Sequence, residues 1–467
     1  MNHLYLIWKK NKLIIKNGYS YLDCNKINLG KFRDHHLPDL GVIKLYKNNY
    51  EVIVTTDTVN SVEIFLTFNK NNVYLSDKPI NKKIDHKSFL EFLDLGYCID
   101  EKTIFRNTLL LPSSSKIKID LSKDKKYEIK YLKYFNNYSY DYKKTLLALN
   151  NLVKNKIQFL NKYDKVILFL SSGYDSRLVL NLIGKYKLKN FYIAVFGSKY
   201  SDEAKKAIDY AKKTNLKILD LTHGFNIRKK KKKRNSFINF INNYNFTYIP
   251  NLDFFSACFE LKDKFQNEKI LCLNGNSGDF TDGRQEMRDY KSFNYKFSIY
   301  CIDLLRKIKI DKINIAKFCQ KFNHINRQAK YTISPRFCYE YFGFDHWHIL
   351  WERTYLETIF SDEEFNKRKF ITKKCLQNEN YFNLDLDRQS SKPYLSKLKY
   401  LYKLNRFFSK IIFFERFNFI YYYSNYSHVY QLFSLNRFIK SVLFKKIRNQ
   451  SRGCIILIHN SIIKNLY

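Results

Sequence analysis

The chain has 467 residues, 45% of them hydrophobic and 27% charged, with a formal net charge of +40. That length accommodates two or three domains with sizeable cores, and nine scattered cysteines without a CxxC pair or metal-ligand spacing to histidine argue against a disulfide framework or a zinc site. No run of 18 apolar residues occurs, and the N-terminal apolar run LYLIW is too short for a signal-peptide core, so no membrane span and a soluble cytoplasmic protein with reduced thiols are expected.

The charge invites a nucleic-acid partner. Lys, Asn, Ile, Tyr and Phe are all abundant, however, while Gly and Pro are scarce, as an A+T-rich coding sequence produces. Charge then reflects codon supply as much as partners, and nucleic acid is not the expected ligand.

Residues 1–140 read as β-rich. LYLIW, KLII, YEVIVTTD, VEIFLTF and NVYLSD are short β-branched or aromatic runs separated by Asn, Lys and Asp turns. A helical patch, Lys87 to Leu95, precedes GYCIDEKTIFRNTLLLP and a strand pair, KIKIDL and YEIKYLKYF. Through Gly96, Tyr97, Thr103, Ile104, Phe105, Leu111, Pro112 and the Tyr134–Phe135 step, this order resembles the N-terminal glutaminase-like domain of asparagine synthetases, an Ntn-type sandwich. Its chemistry requires a cysteine directly after the initiator methionine, because the freed α-amine serves as base for the thiolate. Position 2 is Asn2 and the nearest cysteine is Cys24. The resemblance therefore implies a degenerate, structural domain that no longer hydrolyses glutamine.

From residue 141 the pattern changes. Leu146, Leu147, Leu149, Leu152, Val153 and Ile157 recur at roughly helical spacing and lead into VILFLSSGYDSRLVLN, Val166 to Asn181. Five apolar residues suit a strand buried on both faces. A small polar turn, Ser171, Ser172, Gly173, Tyr174, Asp175 and Ser176, then opens a helix. Strand, Ser/Gly turn and helix together face backbone N–H groups and a positive dipole end toward an anion; the plainer alternative is an ordinary helix cap. The spacing is not that of a Walker loop. It resembles the pyrophosphate (PP) loop SGGxDS of ATP pyrophosphatases, with Ser172 in place of the first glycine.

NFYIAVFG supplies a second buried strand, SDEAKKAIDYAKKTN a helix with a Ser-x-x start, and LKILDL a third strand. This β-α-β-α-β alternation predicts a doubly wound parallel sheet with ligand at the carboxyl ends of its strands. Arg228 to Arg234 is a run of seven cations, expected as a solvated loop. Residues 235–270 read as helical and aromatic-rich.

LCLNGNSGDFTDG, Leu271 to Gly283, again runs from a short apolar strand into a glycine-rich polar turn that lets backbone approach a ligand closely. Alone it is a weak signal. It resembles the SGEGSDExFGG segment of asparagine synthetases, with Asp279 on that segment's aspartate and Asn276 where the family has a glutamate tied to the acyl-adenylate step. An amide there carries no charge and cannot act as a base.

ISPRFCYEYFGFDHWHILWER, Ile333 to Arg353, is aromatic and helix-compatible and resembles the stretch that ends the family's next turn, with Glu352 near its acidic position. His346 and His348 within it read as packing or hydrogen-bonding residues rather than ligands. EEFNKRKFITKKCL matches the family's K-x-I-L-R-x-A pattern and places Lys369 on the lysine that meets phosphate and the developing oxyanion; Lys369 is otherwise one cation on a solvated helix. Residues 381–467 are basic and aromatic and are expected to form a helical C-terminal extension packed on the body.

An α/β protein is thus expected: a degenerate glutaminase-like domain over 1–140, an asparagine synthetase-like PP-loop domain over 141–380, and the extension over 381–467. The resemblance implies an ATP-dependent carbon–nitrogen ligase. In that family Ser171, Ser172, Gly173, Asp175 and Ser176 would cradle pyrophosphate, and Leu170, Val195, Asn274 and Gly275 would enclose adenosine. Asp175 and Asp279 would stand near Mg²⁺, and Lys369 would act in the transition state. ATP and Mg²⁺ are the implied cofactors. The substrate would be a small-molecule, glycan or peptide carboxylate, with ammonia, an amine or a separate amidotransferase supplying nitrogen. A nucleotide-binding pseudoenzyme and a PP-loop enzyme modifying tRNA are the alternatives.

Overall fold

The structure, a computed structural model, describes residues 4–9, 12–17, 27–28, 44–48, 51–60, 63–69, 72–81, 83–120, 127–131, 142–198, 202–223, 230–244, 247–248, 252–276, 322–359 and 371–386. The positions of Asn2, Cys24 and nearly all of the C-terminal extension lie outside these residues.

Among the described residues of the N-terminal third are ten short strands: β1 (Leu4–Lys9), β2 (Lys12–Asn17), β3 (Ile27–Asn28), β4 (Lys44–Asn48), β5 (Glu51–Thr55), β6 (Phe65–Asn69), β7 (Asn72–Ser76), β8 (Thr108–Leu110), β9 (Ser115–Asp120) and β10 (Tyr127–Tyr131). They form two antiparallel sheets, ordered β2-β1-β7-β6-β8 and β10-β9-β5-β4-β3. In β9 the residues alternate strictly, Ile117 and Ile119 fully buried between exposed Lys116 and Lys118, as a sheet with one covered face requires. The helical patch is α1 (His86–Leu95), opened by Asp85 accepting from the Ser88 amide and closed by Gly96 at φ 88°. Strands β3, β4 and β8 escape a pattern search because they are short or carry Lys and Asn where alternation needs apolar residues.

Five further strands make the central sheet: β11 (Lys165–Phe169), β12 (Phe191–Ser198), β13 (Lys217–His223), β14 (Ile270–Asn274) and β15 (Asp345–Trp347). The order is β13-β12-β11-β14-β15 and every pairing is parallel. Before, between and after them run α2 (Tyr142–Lys154), α3 (Ile157–Leu160), α4 (Tyr174–Gly184), α5 (Asp202–Lys212), α6 (Lys230–Asn242), α7 (Leu252–Lys264), α8 (Pro335–Tyr341), α9 (Arg353–Ile359) and α10 (Ile371–Asn378), with a π-type helical stretch at Asn323–Thr332.

Alternate residues of the central strand enter different cores. Val166, Leu168 and Leu170 pack with Val153 of α2, Leu178 and Leu182 of α4, Tyr210 of α5 and Tyr355 of α9. Ile167 and Phe169 pack with Phe240 of α6, Phe255 of α7 and Tyr339 of α8. Helices therefore cover both faces, which is why VILFL is apolar throughout rather than alternating. The chain winds outward from β11 to β13, then crosses back to lay β14 on the other side of β11. That reversal sets the carboxyl ends of β11 and β14 side by side, the place where open α/β sheets take their ligands.

Two expectations change. The stretch 333–353 is not one helix: α8 stops at Phe342, Gly343 adopts φ 76°, and Asp345–Trp347 becomes the edge strand β15. The basic run is not a loop from Lys230 onward but the first turn of α6, where Lys232 meets Asp263 at 2.9 Å and the buried Lys233 meets Glu260 at 3.6 Å. Carboxylates of α7 make that cationic turn tolerable.

Buried polar contacts join the antiparallel region to the central sheet. Thr58 Oγ1 donates to the Trp351 carbonyl at 2.9 Å, Arg336 meets Glu63 at 3.3 Å with both side chains buried, and Tyr97 bridges to Tyr248. The described cysteines, Cys98, Cys258, Cys272, Cys338 and Cys375, are buried and unbridged. Among the described residues no helix is long and apolar enough to cross a membrane.

Candidate functional site

The chain leaves β11 at Leu170, whose N–H donates to the Ala194 carbonyl at 2.9 Å, and turns through Ser171, Ser172 and Gly173 into α4. Two hydroxyls close this turn. Ser176 Oγ accepts from the Ser171 amide at 3.1 Å, lies 3.0 Å from Ser171 Oγ and donates to the Ser171 carbonyl at 3.1 Å. Ser171 Oγ in turn accepts from the Gly173 amide at 3.1 Å. Gly173 caps the helix at φ −70° with no side-chain cap, and Asp175 stands in the first turn. A helix start without its own side-chain cap keeps its positive end available to an anion.

Ser172 is buried and is not among the described non-glycine residues at positive φ. Serine in place of glycine therefore carries no left-handed strain here.

The second segment lies directly on this turn. A Cβ built at Gly275 would fall 2.4 Å from the Ser176 nitrogen, 2.7 Å from the Asp175 carbonyl carbon and 2.8 Å from the Ser176 Cα. Only glycine permits so close an approach of two backbones. The contact follows from the strand order: β14 pairs with β11 in parallel, Asn274 opposite Phe169, so both chains leave the sheet at the same level. Residues more than ninety positions apart in sequence thus meet at the reversal point of the sheet.

Asn274 is 3% exposed and fully engaged. Its Nδ2 donates to the Tyr339 hydroxyl at 3.2 Å, and its Oδ1 accepts from the Asn276 amide at 3.1 Å and faces His348 Nδ1 at 3.3 Å. Burial raises the Tyr339 phenol well above its ordinary range, so it stays neutral. Tyr339, His346 and His348 are contributors that a helical reading of 333–353 hides. As a strand, Asp-His-Trp-His puts both histidines on one face.

Arg177, whose place directly after the turn reads in the sequence as an extra phosphate partner or a surface residue, is instead turned inward. It is fully buried; its Nε donates to the Gly173 carbonyl at 3.2 Å, and its Nη1 donates to the Tyr210 hydroxyl at 3.2 Å and to the Asp385 carbonyl. The guanidinium also stacks over Tyr174 and Tyr210, at 5.0 and 4.6 Å from the ring centres. Lys206 and Lys213 hold the Asp385 carboxylate at 3.3 and 3.4 Å, which lowers its pKa. The turn is thus braced from behind by a cation tied to α5 and to the segment after α10.

Among the expected site residues, the structure brings Leu170, Ser171, Ser172, Gly173, Asp175, Ser176, Asn274 and Gly275 together around the ends of β11 and β14. Val195 lies one strand over on β12, buried in the same core as Leu170. Asp279 and Lys369 fall outside the described residues. Among the described residues, no group of three or more His, Cys, Asp and Glu is placed to hold a metal ion.

No family model and no curated protein matches this sequence. Among solved structures, the chain is similar to NMN synthetase from Francisella tularensis, with 13% identity over 31% of this chain and 59% of that one, at a TM-score of 0.22. It is also similar to the NH3-dependent NAD synthetase from Campylobacter jejuni subsp. jejuni NCTC 11168, with 17% identity over 40% of this chain and 95% of that one, at a TM-score of 0.24. The chain spans about three fifths of the length of the first. Likenesses this distant carry no chemistry. The chemistry has to come from the residues of the site itself.

Proposed function

We propose that the chain is an ATP-dependent amide-forming ligase of the ATP-pyrophosphatase type, similar to asparagine synthetases. The observation that carries this reading is the seat of Gly275 on the backbone of Ser176, beside an anion-ready helix start. Such a seat joins a helix start suited to an anion to a second, glycine-rich polar turn at one end of a parallel sheet.

In the proposed reaction a substrate carboxylate oxygen attacks the α phosphorus of ATP. The bond between the α phosphorus and the bridging oxygen breaks, and pyrophosphate leaves with that electron pair. Ammonia or an amine then attacks the acyl carbon, the acyl–phosphate bond breaks, and AMP departs as the amide forms. The turn from Ser171 to Ser176 would hold the departing pyrophosphate through backbone N–H groups, hydroxyls and the dipole of α4. Leu170, Val195, Asn274 and Gly275 would enclose the adenosine, and Lys369 would offset charge growing on the transferring group. A carboxylate in the first turn of α4 suits a hard cation with oxygen ligands, so Asp175, joined by Asp279 from beyond Gly275, would hold Mg²⁺. When bound, that ion neutralises phosphate charge.

The same reading makes residues 1–140 a structural glutaminase-like domain, since Asn2 supplies no thiol. Nitrogen would come from free ammonia, an amine or a separate amidotransferase. The acid would be a small molecule, a glycan or a peptide side chain. ATP–pyrophosphate exchange, run against a panel of carboxylic acids, tests the proposal: label entering ATP with one acid supports a ligase. A second reading, a nucleotide-binding protein without catalysis, is favoured by Asn276, an amide where the asparagine synthetase pattern has a carboxylate. ATP binding with no exchange for any acid would select it.

A further inference from the structure

Two buried imidazoles connect the surface to the candidate nucleotide site. Glu340 on α8, its side chain 42% exposed, lies 3.2 Å from His346 Nε2. His346 Nδ1 lies 3.1 Å from His348 Nε2, and His348 Nδ1 lies 3.3 Å from Asn274 Oδ1. Both histidines are 1% exposed.

Asn274 Oδ1 already accepts from the Asn276 amide while Nδ2 donates to Tyr339, so the amide cannot be turned over. Its oxygen must therefore face an N–H on His348 Nδ1. The contact between the two rings needs one proton, and the contact between His346 Nε2 and the Glu340 carboxylate needs another. Three contacts require three protons, whereas two neutral imidazoles carry two. The third proton is held by the trio as a whole, either on the Glu340 carboxyl or on an imidazolium beside its carboxylate. Such a set titrates as one coupled unit.

Among the described residues, Glu340 also feels the buried Arg336 guanidinium, which is permanently charged, and the Tyr248 phenol, which burial keeps neutral. Burial keeps the Tyr339 phenol, its ring 5.7 Å from His346, and the Cys272 thiol, cross-strand from His346, protonated and neutral. Asp345 on β15 accepts from the Tyr163 hydroxyl at 2.8 Å.

We propose that His348 is a positioning residue for the nucleotide site: the proton shared by Glu340, His346 and His348 fixes Asn274, and through it the backbone at Asn276, beside the phosphate turn. The identity of the bound molecule rests on the ligase reading. The proton count does not.

Calorimetric titration of the full chain with Mg·ATP from about pH 6 to about pH 9, alongside NMR of the histidine ring carbons, tests this. Wild type is expected to bind more weakly as the pH rises and the shared proton leaves. His348→Ala should bind roughly tenfold more weakly at low pH, having left a buried acceptor unsatisfied. His348→Asn, whose amide N–H takes the place of Nδ1–H, should restore affinity while abolishing the pH dependence. Glu340→Gln, which can donate to His346 Nε2 without an extra proton, should bind as wild type with a flat profile. An Asn variant no better than Ala, or a pH profile unchanged in Glu340→Gln, overturns the proposal. If wild type does not bind Mg·ATP at all, the ligase reading and the ligand assignment fall together. In that case one coupled NMR titration of both rings, absent in Glu340→Gln, still upholds the shared proton, and two independent titrations refute it.

Discussion

Gly275 and Ser176 touch because position 275 has no side chain: its Cβ would sit 2.4 Å from the Ser176 nitrogen. The neighbouring atom is backbone and cannot swing away as a side-chain end could. Gly275→Ala is expected to cost about 1–3 kcal/mol of stability and to push the Ser171–Ser176 turn out of shape. Denaturant unfolding and Mg·ATP calorimetry would read both effects. Wild-type affinity in this variant would mean that the contact is incidental to binding.

Asp175 stands at the first turn of α4, next to that contact. Asp175→Asn preserves shape and removes charge, so pyrophosphate release should fall by roughly a hundredfold or more. Turnover at the wild-type rate would place the site elsewhere.

Lys369, as proposed, acts on charge that appears only in the transition state. Lys369→Ala should lower kcat by about 10²–10³-fold with little change in the KM for ATP. A rise in KM with kcat intact would assign it to ground-state binding instead.

Arg177 holds the Gly173 carbonyl, the Tyr210 hydroxyl and the Asp385 carbonyl with one planar fork. A lysine ammonium cannot reproduce that geometry. Arg177→Lys should lose about 2–4 kcal/mol, measured by urea unfolding, and Mg·ATP affinity should fall because the turn loses its brace.

His324 is buried, donating from Nε2 to the Thr58 carbonyl at 2.8 Å, and burial lowers its pKa from 6.5 to about 4. Between those values the unfolded chain binds a proton that the folded chain does not, so stability falls as pH drops. The loss should approach about 3 kcal/mol from pH 6.5 down to pH 4. His324→Gln should flatten that limb of the stability curve, and an unchanged slope would show that other groups dominate it.

Much of the central sheet was legible from local pattern. Five apolar residues ending in Ser-Ser-Gly, followed by Leu178, Val179, Leu182 and Ile183, read as a buried strand, a turn and a helix start, because each signal acts over a few neighbouring residues. The same holds for the strands at 191–198 and 217–223 and the helix between them. Local pattern failed where short strands carry polar residues, as in β4, and where Gly343 splits an aromatic run that is compatible with a helix throughout. It also misjudged Arg177, whose burial depends on Tyr210 and Asp385, and Lys233, whose charge is met by Glu260 of another helix.

The amino-acid order by itself determined the Ser171–Ser176 turn and the alternation of strand and helix, since backbone sterics and hydrophobic period are properties of a short window. Only the tertiary structure decided that β14 lies beside β11, that Gly275 rests on Ser176, and that His348 reaches Asn274. Those contacts join segments separated by long stretches of chain: the missing side chain at Gly275 permits the closest of them, but it is the reversal of strand order that brings the segments together.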